Sequence, residues 1–188
     1  MLLLAQQTFL KALREYPDRV IACLVKFAMV TGLRRGELLK LKWQNMDIKR
    51  KKMVLIDPKG KKNQTLPLSD EAIEVLKEIP QYKPKKLPHL EQNEYVFYGK
   101  EGKQLVEFRK HWNMIKEAAK LPKGFRFHGL RHNFASHLVS SGTDLYTVSK
   151  LLTHKSIAVT QRYAHLADSH LMEAVNKAGK LLTNNEGT

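Results

Sequence analysis

Arg34 is the first residue whose type and position suit chemistry on a phosphate. It follows a break at Gly32 and opens a predicted short helix, where its planar guanidinium can lie beside free backbone N–H groups. Glu37 is three residues further on, near the same helix face, so we expect it to orient Arg34 rather than to react. Taken alone, the segment favours the alternative of a surface arginine in a helical ion pair.

His128 and Arg131 form a second group suited to phosphate. They are three residues apart, about 60° around a helix, and are therefore neighbours in space. Arg131 is flanked by apolar residues, and an arginine in such surroundings needs an anionic partner. A histidine at this place is also compatible with a structural role, which is our interpretation of His132 and His137.

Tyr163 is a candidate nucleophile, nine residues after His154 and across a predicted helix-starting turn. A tyrosine hydroxyl titrates near ~10, so it reacts at neutral pH only when cations or a base lie close by. The competing interpretation is a half-buried aromatic side chain whose hydroxyl is bonded to a neighbouring group. For a tyrosine taken alone, the competing interpretation is the one that usually holds.

The chain carries a large excess of positive charge. Its 188 residues include 33 Lys or Arg and 18 Asp or Glu, which gives a formal net charge of +15. Residues 49–62 hold seven bases and one acid. Such a run is usually a solvated turn, but a lysine-rich hairpin tip also fits a groove of duplex DNA. The charge therefore predicts nucleic acid, an anionic membrane surface or an acidic protein as the partner.

Length and composition predict one compact, soluble domain. A chain of this size buries about 70% of the surface that its unfolded form exposes, so it needs neither a disulfide nor a structural metal. Cys23 is the one cysteine and lies in an apolar run, which fits a reduced thiol in the cytosol. The first residues lack the features of a signal peptide, and the longest apolar run, residues 20–30, is too short to span a bilayer.

Helical periodicity and end signals predict a mainly helical chain. The first residues through Leu13 have apolar side chains at helical spacing, and a serine followed by two acids at residues 69–71 caps a later helix. In the helix after His128, we expect a buried stripe of Leu130, Phe134 and Leu138. The predicted helices after the first cover residues 19–30, 34–41, 69–79, 105–119, 128–140, 144–152, 156–163 and 169–182.

A small β-structure is predicted in the middle of the chain. Residues 53–56 and 65–68 are expected to form a hairpin or two strands of a small sheet, joined by a basic turn. Pro67 confines the second strand to an edge, because proline cannot donate a ladder hydrogen bond. Residues 96–97 are predicted to be a further short strand. The fold class is thus α+β, mainly α.

Three motifs in the chain resemble those of the catalytic domain of the tyrosine recombinases, also called the phage integrase family. They are Thr-Gly-Leu-Arg-x-x-Glu-Leu, His-x-Leu-Arg-His-x-Phe-Ala-Ser-His and Leu-Leu-x-His-x-Ser-Ile-x-x-Thr-x-Arg-Tyr-Ala-His. Each is specific, and the resemblance covers nearly the whole chain. It implies that residues 1–188 are a helical catalytic domain with a β-hairpin or three-stranded antiparallel sheet on one edge. The amino-terminal core-binding domain of the family is expected to be absent from this chain.

The resemblance implies catalytic roles for five residues of the motifs. Arg34 and Arg131 correspond to the arginines that hold the non-bridging oxygens of the scissile phosphate. His128 corresponds to the general acid/base partner and His154 to the second histidine that contacts the phosphate. Tyr163 corresponds to the nucleophile.

The resemblance also implies a catalytic lysine in the hairpin, which protonates the leaving 5′ oxygen. Lys59 matches it most naturally, and Lys61 and Lys62 are the alternatives, because the hairpin is where the family varies most. Lys61 and Lys62 are further expected to contact DNA, together with Arg35 and Lys155.

The implied reaction is a transesterification that uses neither a metal nor another cofactor. DNA is cut to give a 3′-phosphotyrosine and a free 5′ hydroxyl, and a 5′ hydroxyl of a partner strand then attacks that link. The alternatives are a type IB topoisomerase-like strand transferase and a non-catalytic DNA-binding domain. The sequence departs from the family pattern at Thr153, where a Gly often precedes the second His, and at Gly129, where an Asp often follows the first.

The implied partner is double-stranded DNA, with no membrane association. Self-association on DNA as a tetrameric synapse is expected through the amphipathic helix 169–182, although this helix is equally compatible with packing on its own domain. The expected location is the cytoplasm of a bacterial, archaeal or phage-infected cell, with nucleoid association when the protein is on DNA.

Overall fold

The computed structural model describes residues 2–56, 63–82, 93–167 and 170–183. The chain divides into two compact units, an amino-terminal unit, Met1–His132, and a carboxy-terminal unit, Asn133–Thr188. The described residues are mainly helical with one small antiparallel sheet, so the predicted fold class is confirmed. Within these ranges, no helix has the length and apolarity needed to cross a membrane.

The amino-terminal unit is built around one almost entirely apolar helix. Its helices are α1 (Leu2–Glu15), α2 (Arg19–Thr31), α3 (Arg35–Leu38), α4 (Asp70–Lys77) and α5 (Arg109–Ala118), followed by the start of α6 (Gly129–Ser140). Helix α2 packs against α1, α3 and α4, which is why its sequence is apolar on nearly every side. The Asp18 carboxylate caps its first turn by accepting the Ile21 N–H. Its end at Gly32, predicted from the sequence, is a left-handed residue with φ of 63°.

Three short strands form the sheet, in the order β1 (Met46–Asp47), β2 (Lys52–Leu55) and β3 (Gln64–Pro67). Both pairs are antiparallel, with Met53 opposite Met46 on one side and Leu66 on the other. Pro67 lies on the edge strand, as predicted. The tip of the hairpin is outside the described residues, and Lys59, Lys61 and Lys62 lie there.

Two predictions in the amino-terminal unit were wrong in detail. Residues 96–97 are not a strand, and both side chains are fully buried, with the Phe97 ring 5.6 Å from that of Phe27. Their apolar character reflects burial in the core rather than sheet pairing. Helix α5 begins at residue 109 rather than 105, because the Glu107 carboxylate accepts the N–H groups of Phe108 and Arg109 and so marks the helix start.

The carboxy-terminal unit has a small core of its own. It contains the rest of α6, helix α7 (Leu145–Leu151), two 3₁₀ segments (Ile157–Val159 and Gln161–Leu166) and helix α8 (Leu171–Thr183). Residues 156–163 were predicted to be one helix and instead form these two 3₁₀ segments, which meet at Thr160. The β-branched residues in this stretch disfavour a continuous α-helix. The core residues are Ala135, Val139, Val148, Leu152 and Tyr163.

The buried positions of α6 differ from the predicted stripe. Leu130 is buried in the core of the amino-terminal unit, whereas Phe134 and Leu138 are only partly buried against the core of the carboxy-terminal unit. Ala135 and Val139 are the residues fully buried there. The first turn of α6 therefore contributes to one core and the following turns to the other, so its buried residues do not form a single stripe.

Helix α8 exposes every side chain that the structure describes on it, residues 174–181. Val175 is 66% exposed and Leu181 is 64% exposed, which is unusual for branched apolar residues. The predicted start of this helix at Ser169 lies outside the described residues. The predicted amphipathic helix is thus exposed over its described part.

Candidate active site

Arg34 is held at the start of α3 by the carboxylate of Glu37. Its backbone is extended, with φ of −69° and ψ of 149°, because the chain leaves α2 at the left-handed Gly32. The Arg34 N–H donates to Glu37 Oε2 at 2.7 Å, and its guanidinium Nη1 donates to Glu37 Oε1 at 2.8 Å. Glu37 therefore orients both the backbone and the side chain, as predicted. The Arg34 side chain remains 41% exposed.

Arg131 is buried beside the segment that carries Arg34. It is only 3% exposed, and its Nη1 donates to the Gly32 carbonyl oxygen at 2.8 Å. This bond joins the first turn of α6 to a residue two positions before Arg34. The two arginines are thus brought together within the amino-terminal unit, although 97 positions separate them in the sequence.

His128 lies immediately before α6 and is exposed. Its carbonyl oxygen accepts the N–H groups of Arg131 and His132, which fixes the start of the helix. The His128 ring meets the His132 ring edge-on, with 4.7 Å between centroids. Glycine at position 129 avoids a steric clash, since a Cβ there would lie 2.9 Å from the Phe125 ring. The family's Asp at this position would require that ring to move.

His154 in the carboxy-terminal unit is positioned by the end of α7. The Thr153 N–H donates to the Lys150 carbonyl and the His154 N–H donates to the Ser149 carbonyl, both at 3.0 Å. This pair of bonds is a Schellman motif, which requires a left-handed residue at the position of Thr153. Thr153 has φ of 54°, a conformation that a β-branched residue rarely adopts. Glycine adopts it freely, which gives a physical reason for the glycine that often stands there in the family.

Thr160 connects His154 to Tyr163, and the sequence analysis gave it no role. It is fully buried, and its Oγ1 lies 2.7 Å from His154 Nδ1 in a hydrogen bond. Its carbonyl oxygen accepts the Tyr163 N–H at 3.0 Å. The sequence signal for Thr160 was its place in the third motif, where it stands six residues after His154 and three before Tyr163.

Tyr163 is part of the core of the carboxy-terminal unit and is 6% exposed. Its ring packs with Val139, Val148 and Leu152, so its position is determined by side chains from both α6 and α7. The competing interpretation was a half-buried ring, whereas the ring is almost wholly buried.

Of the residues predicted to contact DNA, the structure describes Arg35 and Lys155. Arg35 forms an ion pair with Glu107 at 3.0 Å and lies over the Phe108 ring, 5.5 Å from its centroid. Lys155 is exposed in the carboxy-terminal unit. Overall, the amino-terminal unit holds Arg34, Arg131 and His128 at one place, and the carboxy-terminal unit holds His154 and Tyr163.

Comparisons with known proteins agree on one family. The sequence profile described as the phage integrase family matches residues 6–170. Tyrosine recombinase XerC of Rickettsia prowazekii is 35% identical over 163 residues, which are 82% of this chain and 50% of that protein. The chain spans about half the length of the curated relatives it matches.

Solved structures show the same relationship in three dimensions. The catalytic domain of bacteriophage HP1 integrase has a TM-score of 0.66 and 28% identity, covering 92% of this chain and 90% of that one. The XerH site-specific recombinase, solved bound to its palindromic difH substrate, has a TM-score of 0.68 and 26% identity, covering 91% of this chain and 50% of that one. Because the family match includes all three motifs and spans most of the sequence, the chain belongs to the phage integrase family.

Proposed function

We propose that this chain is the catalytic domain of a site-specific DNA recombinase, which cuts and rejoins DNA through a 3′-phosphotyrosine intermediate. The observation that carries the proposal is the buried hydrogen bond from Arg131 to the Gly32 carbonyl, which fixes one arginine beside the segment of the other. Two fixed guanidinium groups suit the non-bridging oxygens of one phosphate. The relatives named above are tyrosine recombinases and integrases, and one was solved bound to its DNA substrate, which supports DNA as the substrate. Association with the nucleoid would follow from DNA binding.

In the proposed reaction, the Tyr163 oxygen bonds to phosphorus as the bond from phosphorus to the 5′ oxygen breaks. His128 accepts the proton of the Tyr163 hydroxyl, and the 5′ oxygen takes a proton from the hairpin lysine, which we assign to Lys59. Arg34 and Arg131 stabilise the added negative charge on the equatorial oxygens, and removing one such donor typically costs about 10² to 10³ in rate.

The second step restores the DNA backbone. A 5′ hydroxyl of a partner strand attacks phosphorus and gives its proton to the hairpin lysine. The bond to the Tyr163 oxygen breaks, and the tyrosine recovers its proton from His128. His154 contacts the same phosphate in both steps, and its ring is oriented by Thr160. One phosphoester replaces another, so the exchange needs no nucleotide triphosphate and no metal.

The test is the covalent intermediate itself. The protein is incubated with nicked duplexes that carry candidate sites, and a denaturing gel is examined for a protein–DNA band. We expect the band in the presence of EDTA and its loss in Tyr163→Phe. Tyr146→Phe is the matched control, because Tyr146 is an exposed tyrosine of the same unit and should leave the band intact. A band that survives Tyr163→Phe, or that requires magnesium, would contradict the mechanism.

We further propose that α8 docks on a neighbouring copy in a tetrameric synapse on DNA. The exposure of Val175 and Leu181 supports this, because branched apolar side chains on a helix are usually covered. We expect Val175→Asp to abolish synapsis in a DNA gel-shift experiment while the covalent band on a single site persists. Asn176→Asp, on an exposed position of the same helix, is the control because it adds the same single negative charge. Synapsis that survives Val175→Asp would contradict this assembly.

A further inference from the structure

A groove in the amino-terminal unit is not used by the mechanism above. It runs between α5 and residues 123–127 and encloses a volume of about 320 Å³. We call it the α5 groove. Its lining combines aromatic rings with positively charged side chains: Arg35, Glu107, Phe108, Arg109, Trp112, Asn113, Lys116, Lys123, Gly124, Phe125, Arg126 and Phe127.

The floor of the α5 groove is a cluster of aromatic rings. Phe127 meets Phe108 and Trp112 nearly at right angles, with centroid distances of 4.9 and 5.3 Å. Phe125 lies 6.2 Å from Trp112 in a tilted arrangement. Phe108 and Trp112 are buried, whereas Phe125 and Phe127 are partly exposed. The two phenylalanines therefore offer an aromatic surface to whatever enters the groove.

The rim of the α5 groove is strongly basic. It carries five cationic side chains against one carboxylate, that of Glu107, which is already paired with Arg35. In the part of the chain that the structure describes, no carboxylate pairs with Lys116, Lys123 or Arg126. Lys116 Nζ donates to the Lys123 carbonyl oxygen at 2.8 Å and so ties the two walls together. The charge of the rim is complementary to phosphate.

We propose that the α5 groove binds one nucleotide of a DNA strand whose base is unpaired, with the base on the aromatic floor and the phosphate on the basic rim. A site for phosphate alone would need no aromatic floor, whereas every base has a π-face that stacks on one. The exposed Asn113 amide supplies a donor and an acceptor for the edge of the base. A base paired in a duplex is covered on both faces by its neighbours and does not reach such a floor.

The nucleotide in question is one near the cleaved phosphate, and in this respect the inference rests on the proposed function. Arg35 follows Arg34 directly, and Phe127 directly precedes His128. The two chain segments that supply catalytic residues of the amino-terminal unit therefore also supply part of the groove. The groove would thus stabilise a base displaced from its partner during strand exchange.

The test compares two short oligonucleotides of equal charge, one of thymidylate and one of abasic sugar-phosphate, by fluorescence anisotropy. The protein carries Tyr163→Phe, so binding is measured without cleavage. We expect the thymidylate strand to bind about tenfold more tightly, the size of a single base-stacking contact. Phe127→Leu should remove most of this preference and leave abasic binding unchanged. Arg126→Gln should weaken both strands and reduce the salt slope by about 0.7.

Lys110→Gln is the matched control, since Lys110 is exposed on α5 but does not line the groove. It should leave the preference for thymidylate intact. Because Phe127 packs on two rings, each variant is checked by thermal unfolding, and Arg126→Gln tests the groove without altering the core. Equal affinity for the two strands, or a preference that Phe127→Leu leaves intact, would overturn the proposal. The covalent-band assay is separate, so loss of cleavage and loss of groove binding are distinguishable.

Discussion

Thr160 shows how a residue without chemistry of its own can set the geometry of two that have it. Its hydroxyl holds His154 Nδ1, and its carbonyl holds the Tyr163 N–H. Valine has nearly the same shape but no hydroxyl, so Thr160→Val removes the bond to His154 and preserves the packing. We expect formation of the covalent intermediate to slow by about tenfold or more, with a changed pH dependence, and Thr160→Ser to recover most of the rate.

The measurement is single-turnover cleavage of a nicked duplex over a range of pH. A purely structural role for Thr160 would lower the amount of folded protein and leave the pH profile of the remainder unchanged. A Thr160→Val protein with the rate and pH profile of the parent would show that the hydroxyl does not position His154.

Arg34 allows a test in which charge and geometry are separated. Lysine keeps the positive charge but lacks the planar group that now donates to Glu37 and can face two phosphate oxygens. We expect Arg34→Lys to reduce the cleavage rate by about 10² or more in the same single-turnover assay. Arg14→Lys, at the end of α1 and away from the motifs, should have no effect. Parent-like cleavage by Arg34→Lys would mean that charge alone is sufficient.

At the scale of the element, the end of α7 stores backbone strain at Thr153. A left-handed L-residue costs roughly 1–2 kcal/mol, and glycine removes this cost while adding up to about 1 kcal/mol of chain entropy in the unfolded state. We expect Thr153→Gly to leave the free energy of unfolding within about 1 kcal/mol of the parent or to raise it. Ser149→Gly, in the same helix and also buried, should lower it by about 1 kcal/mol. Urea denaturation measures the free energy of unfolding of both variants. An equal decrease in Thr153→Gly and Ser149→Gly would argue against backbone strain at Thr153.

Helix α2 carries the one cysteine in a place where it cannot react. Burial raises the pKa of the Cys23 thiol to about 11, and the Glu78 carboxylate acts in the same direction. The unfolded chain ionises this thiol at lower pH than the native protein does. The contribution of the thiol to the free energy of unfolding is therefore complete below about pH 9 and is lost as the pH rises towards 11. We expect Cys23→Ala to flatten the alkaline loss of stability, measured by urea denaturation. Native Cys23 should also resist alkylation that the unfolded chain undergoes rapidly.

The elements that could be predicted from the sequence are those with local signals. The caps at Asp18 and Gly32 act within a few residues, so the bounds of α2 follow from the sequence. Residues 96–97 and the two 3₁₀ segments could not be predicted in the same way, because burial against distant residues decided them. The same contrast holds for the candidate site. Its reactive side chains could be predicted because they stand in motifs. The bond from Arg131 to Gly32, like the α5 groove, could not, because it exists only after folding.

At the scale of the whole molecule, the cationic side chains that produce the net charge of +15 lie in different surroundings. Some cations are paired with carboxylates: Arg19 and Lys26 both contact Glu78, and Arg35 contacts Glu107. Others line the α5 groove without a carboxylate among the described residues, and several belong to the hairpin tip. Only cations that exchange their counterions for DNA phosphates contribute to the salt dependence of binding.

This distribution predicts weak DNA binding by the domain alone, with a strong dependence on salt. With about six phosphate contacts, the logarithm of the association constant should fall with the logarithm of the salt concentration at a slope near −5. Replacing Lys59, Lys61 and Lys62 by alanine should reduce the slope by about 2 to 3. A matched control replaces three lysines that are paired with nearby carboxylates, Lys11, Lys77 and Lys103. Because the control changes the net charge equally, an effect confined to the hairpin variant would identify the hairpin as part of the DNA contact. Tight binding of the parent protein with little salt dependence would contradict the prediction.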